Sequence, residues 1–83
     1  MSTTVAVMGI IVEKMDSVEV LNSLLHEYGD NIVGRMGIPY REKGIHVISL
    51  VVDAERKMIE DMAAKIGALE GVSVETAYSD CGR

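Results

Sequence analysis

The sequence predicts an α+β domain of the ferredoxin-like kind: a βαββαβ chain forming a four-stranded antiparallel sheet with two helices on one face. Three observations predict it. Residues 5–13 and 45–53 are rich in β-branched side chains and apolar on both alternating faces, the pattern of strands buried on two sides. Each of these stretches is followed by a segment with apolar residues at helical spacing. After each helix comes a shorter or less regular alternating stretch, suited to a sheet edge.

The elements follow in order. In VAVMGIIVE (5–13), Val5, Val7 and Ile11 share one face and Ala6, Met8, Ile10 and Val12 the other. Asp16 is placed to start a helix, with Glu19 three residues on in a capping-box spacing. Val18, Leu21, Leu25 and Tyr28 form its apolar stripe, and Gly29 is expected to end it in the left-handed conformation. Residues 31–38 read as an edge strand with a bend or bulge at its glycines, Gly34 and Gly37. Pro39, without an N–H, is expected to end the pairing there.

Residues 45–53 (IHVISLVVD) form the second central strand. The second helix is expected over 55–69, with Met58, Ile59, Met62, Ala63, Ile66 and Leu69 inward, Gly67 weakening its last turn and Gly71 closing it. Residues 72–78 alternate, with Val72, Val74, Thr76 and Tyr78 on one face, and 79–83 read as a loose tail. Right-handed crossovers put both helices on one side of the sheet, and the usual strand order of the fold makes the first and third strands central.

Composition bounds the function. Eighty-three residues suit a single domain, and a hydrophobic share of 48% without Phe or Trp implies a core of Val, Ile, Leu and Met. A net charge of −5 disfavours nucleic acid and anionic lipid, and no helix is left over for a DNA-binding arm. Neither direct nucleic-acid binding nor a membrane role is expected. A single cysteine, Cys81, allows no disulfide within the chain, and the apolar run near the N-terminus is too short for a membrane span. A cytoplasmic protein is the expectation.

Two helices shelter only one face of a four-stranded sheet. Either Val5, Val7 and Ile11 or their alternates, with counterparts on the third strand, are therefore left facing water. At roughly 25 cal/mol per Å², a few hundred Å² of wet apolar surface forgoes several kcal/mol. The expected cover is a second copy, giving a homo-oligomer (dimer or tetramer) with sheets face to face or edge to edge.

The one stretch with concentrated chemistry is RMGIPYREKG (35–44), which holds the only proline. Arg35, Arg41 and Lys43 give three cations in an acidic chain, Tyr40 adds a ring and a hydroxyl, and the glycines let backbone approach a ligand. Arg35, Tyr40, Arg41 and Lys43 are the candidate binding residues, for a small anionic effector or a protein partner. The plainer reading is a hairpin loop whose charges keep its tip solvated, with Glu42 as a partner for the cations. His26 and His46, the two histidines, have no second ligand at metal-binding spacing, so neither metal nor cofactor is expected. No residues are spaced as a catalytic set, and a non-enzyme is expected. A structural assembly protein without a ligand and a metal-responsive protein remain the alternatives.

The segments VAVMGIIVE, LLHEYGD (24–30), RMGIPYREKG and LEGV (69–72) resemble a family: the TM1266-type small proteins named as regulators of the iron-only ([FeFe]) hydrogenase system. The resemblance spans nearly the whole chain. It implies an ACT-like fold, similar to the ligand-binding domain of the nickel-responsive regulator, an oligomer, and a role connected with hydrogenase maturation or expression. It supplies no catalytic residue. His26 and His46 match no metal motif of the nickel regulator, and Glu13-Lys14-Met15-Asp16 stands where amino-acid-binding ACT domains usually carry glycine.

Overall fold

The structure of the protein, a computed structural model, describes residues 2–79. Its elements are β1 (Thr4–Val12), α1 (Ser17–Glu27), β2 (Ile32–Tyr40), β3 (Ile45–Ala54), α2 (Arg56–Gly67) and β4 (Val72–Tyr78). Short 3₁₀ turns, Gly29–Asn31 and Arg41–Lys43, lead into and out of β2. The four strands form one antiparallel sheet in the order β2-β3-β1-β4, so β1 and β3 are central as the two-sided apolarity predicts. The ferredoxin-like arrangement is that predicted from the sequence.

The register decides which face each residue takes. Ala6, Met8, Ile10 and Val12 of β1 and Ile48, Leu50, Val52 and Ala54 of β3 are buried with Leu21 and Leu25 of α1 and Ile59, Met62 and Ile66 of α2. The alternate residues look the other way. On that open face Val7 stands between Val51 and Ala77, Ile11 pairs with Val47, and Met36 and Ile38 of β2 extend the same surface. Among the described residues no other element covers them: Val7 is 45%, Met36 61% and Ile38 50% exposed. The sequence leaves open which β1 set points outward; it is Val5, Val7 and Ile11.

Five local expectations are corrected. Asp16 does not cap α1 with its side chain: its backbone is already helical (φ −60°, ψ −23°), which turns the carboxylate away from the first N–H groups. The entry is instead a backbone turn, Ser17 N–H to Lys14 O at 3.0 Å and Val18 N–H to Met15 O at 3.1 Å. Gly29 is not left-handed; the helix runs on into the 3₁₀ turn, whose i→i+3 bonds take up the terminal carbonyls. Pro39 does not end the pairing, since Pro39 and Tyr40 still stand opposite His46 and Ile45. An edge strand has a free side, and a proline nitrogen on that side costs no ladder bond. The second helix spans Arg56–Gly67 rather than 55–69, and Met58, expected inward, lies exposed at the margin of the Ile59–Met62–Ile66 stripe. The bend in β2 is a bulge between Ile32 and Gly34. Of the predicted tail, 80–83 and with it Cys81 lie outside the described residues.

Two glycines are explained by close approach. Gly67 ends α2 where a Cβ would come within 3.3 Å of Val74 Cγ1, so its absent side chain lets the helix sit tightly on β4. Gly71 has φ +73°, and a Cβ there would lie 2.7 Å from Lys14 Cβ. This turn is the point where the α2–β4 connection docks on the β1–α1 connection. Glu13 N–H donates to Gly71 O at 2.7 Å, and Lys14 Nζ meets Glu70 Oε2 at 2.9 Å. The buried Ser17 hydroxyl donates to Glu70 O at 2.6 Å. Ser17→Ala is expected to cost about 1 kcal/mol through the carbonyl left without its donor, read as a lower urea midpoint at unchanged slope.

Candidate functional site

The hairpin register separates the four candidate residues. Arg35 stands opposite Leu50, on the side of β2 that faces the helices, and its Nη2 donates to Asn22 Oδ1 of α1 at 3.1 Å. Tyr40 stands opposite Ile45, on the other side of the ribbon, which belongs to the open face. Arg41 and Lys43 occupy the 3₁₀ turn at the tip, and Gly44 (φ +66°) reverses the chain into β3. Among the described residues, Glu42 forms no ion pair with either cation, and the side chains of Arg41 and Lys43 are without a hydrogen-bonding or ionic partner.

Two of the four meet in a hollow. Tyr40 and Arg41, with Met15, Pro39, Gly44, Ile45 and His46, line a cavity of about 480 Å³ between the hairpin tip and the β1–α1 connection. Arg35 and Lys43 are not among its lining residues. Met15 and His46 are members that sequence reasoning did not place there. The cue lay in the pairing of the central strands: Val12 stands opposite His46, so the residues just past Val12 reach the end of the sheet where His46 sits.

The polar character of this hollow is one-sided. Arg41 brings only donors, and among the described residues no carboxylate lines it. His46 is half-buried, and its Nδ1 is enclosed without a hydrogen-bond partner. The remaining lining includes the apolar residues Met15, Pro39 and Ile45.

A second hollow, about 500 Å³, lies along α2 between Tyr28, Glu55, Lys57, Met58, Asp61, Ala64 and Lys65. Its charges already serve one another. Lys57 Nζ lies 3.6 Å from Asp61 Oδ1, and Lys65 stands 5.6 Å from the Tyr28 ring centroid. A side-chain hydrogen bond with Tyr28, more than any other influence, raises the Lys65 pKa above its ordinary value. This is a solvated helix flank. Arg56, 3.8 Å from the centroid of the Tyr78 ring, is also occupied.

Among the described residues, no three His, Cys, Asp or Glu side chains gather as metal ligands would. His26 is exposed in the last turn of α1. Among the described residues no helix is long and apolar enough to cross a membrane.

Comparison with known proteins adds three findings. Residues 4–76 match the family described as "TM1266-like: Iron-only hydrogenase system regulator, putative". The chain is similar to the solved structure of the uncharacterized protein TM1266 from Thermotoga maritima, with a TM-score of 0.89 and 28% identity, over 93% of this chain and 98% of that one. Among curated proteins no relative matches.

Proposed function

Because the chain belongs to the TM1266-like family, we propose that it works as a non-enzymatic regulatory module of the iron-only hydrogenase system, in the cytoplasm. It associates with copies of itself through its open sheet face and takes a small anionic effector or a protein partner at the 35–44 hairpin. The ACT-like character suggested by the sequence resemblance is part of this proposal.

The observation that carries it is the bare apolar face. Val5, Val7 and Ile11 on a central strand, and Met36, Ile38 and Tyr40 on an edge strand, are all exposed on one side of one sheet. Four strands about 4.8 Å apart and about seven residues long present on the order of 450 Å² in plan. Buried on two copies, with the added relief of side chains, this approaches the roughly 1,000 Å² of the smaller specific interfaces.

Face-to-face packing is favoured over joining at the β2 edge. Pro39 and the bulge next to Gly34 both spoil β2 as a template for another strand. The face itself carries little charge on the central strands, where Asp53 alone breaks the apolar and small residues.

The regulatory role is tested by removing the chain from an organism that carries it. Hydrogenase activity and the transcripts of its maturation enzymes are then measured under hydrogen-producing conditions. A change in either, restored by the wild-type chain, is expected. Unaltered activity together with unaltered transcripts would count against the role.

A further inference from the structure

We propose that the hollow between the hairpin tip and the β1–α1 connection binds a small organic monocarboxylate with a short apolar body. This names the effector class for the module proposed above and rests on that reading.

Three features of the lining specify the chemistry. The first is donor excess. The Arg41 guanidinium is uncommitted among the described residues, and its planar fork matches a carboxylate in two parallel hydrogen bonds. His46 and Tyr40 also line the hollow, from opposite sides of the sheet edge: His46 stands opposite Val12 and Pro39 on the helix side, and Tyr40 opposite Ile45 on the open face.

The second feature is the apolar remainder. Met15, Pro39 and Ile45 offer nothing to the oxygens of inorganic phosphate but do offer burial to a branched or aromatic hydrocarbon. Met15 is an adaptable side chain, suited to closing on bodies of differing shape. The volume, about 480 Å³, falls in the range of small-molecule sites.

The third feature is that, among the described residues, no carboxylate lines the hollow. An ammonium group brought in with the ligand would meet no counter-charge while adding its own desolvation cost. The preferred ligand is therefore a simple carboxylate rather than an amino acid.

Arg35 separates this site from a general cation cluster. It belongs to the same sequence segment but bonds Asn22 on the helix side and does not line the hollow. Its loss is expected to leave binding unchanged.

The test is calorimetric titration of the full chain with four probes: isovalerate, its neutral isostere isovaleramide, leucine, and inorganic phosphate. Each is run on wild type, Arg41→Ala and Arg35→Ala, with circular dichroism to establish folding. Arg41 lies in an exposed turn, so its variant is expected to fold. The expected result is saturable isovalerate binding, equal in wild type and Arg35→Ala and weaker by about tenfold or more in Arg41→Ala. Isovaleramide, leucine and phosphate should each bind at least about tenfold more weakly than isovalerate to wild type.

Saturable phosphate or leucine binding as tight as isovalerate overturns the ligand class. Isovalerate binding that survives in Arg41→Ala overturns the site, and absence of binding by all four probes overturns both. Sedimentation of the same wild-type samples keeps the failures apart: an oligomer that binds no probe sinks the carboxylate site and leaves the self-association reading standing.

Discussion

Replacing Gly71 with alanine is expected to cost the domain roughly 2–4 kcal/mol, a large part of the roughly 4–12 kcal/mol that a chain of this size commands. Two costs add. At φ +73° an L side chain is strained wherever it has room. Here it has none, because the new Cβ would stand 2.7 Å from Lys14 Cβ and 3.2 Å from Lys14 N. A β-carbon beside its own backbone cannot swing aside as a side-chain tip can, so relief requires moving the β1–α1 connection. That movement disturbs the 2.7 Å bond from Glu13 to Gly71 and the 2.6 Å bond from Ser17 to Glu70.

Urea denaturation reads the effect as a fall in midpoint without change of slope. Gly29→Ala is the control. Gly29 has a negative φ and open space around the missing Cβ, so that change is expected to be neutral or to stabilise by up to about 1 kcal/mol. Equal effects at both glycines would contradict the packing described for the Gly71 turn.

Val7→Lys is expected to abolish the proposed self-association while leaving the monomer folded. Val7 is central in the open face, between Val51 and Ala77, with its side chain away from the core. A lysine there can extend into water in the monomer. In a face-to-face pair it would be buried near its symmetry mate, and like charges brought together without partners cost several kcal/mol. A weakening of about a hundredfold or more follows, since each 1.4 kcal/mol is a factor of about ten. Sedimentation velocity reads the loss, and an unchanged far-ultraviolet circular dichroism spectrum establishes folding. Met8→Lys, one residue along on the buried face, is expected to unfold the domain, because Met8 is wholly enclosed. A Val7→Lys variant that sediments like wild type would exclude this face as the interface.

How far the fold could be read in advance depended on whether its causes were local. The central strands were legible because Val5–Val12 and the IHVISLVVD run are apolar on both sides, a pattern that burial in a sheet interior with one face bare also satisfies. The glycines show the opposite case. Gly29 and Gly71 both follow a helix, yet only Gly71 is left-handed, because the β1–α1 connection packs against it from far away in sequence. Asp16 has the residue type of a cap but is held in helical conformation by the Lys14–Ser17 turn.

The hairpin was recognisable as the segment with chemistry, while its grouping was not. Counting cations in 35–44 joins Arg35 to Arg41, whereas strand alternation and a hydrogen bond to Asn22 set Arg35 apart. His46 and Met15 entered the hollow only through the β1–β3 register. Strand parity, applied to residues 35 and 40, would have revealed the first; the second needed the paired structure.

The central claim is that copies of this chain cover one another's open sheet face, and sedimentation equilibrium of the wild-type protein at about 1–100 µM tests it most directly. A mass of at least twice the 9.0 kDa of one chain is the outcome that agrees with a shared apolar face. A mass of 9.0 kDa at every concentration would contradict it, leaving Val5, Val7, Ile11, Met36 and Ile38 in water with nothing to shelter them.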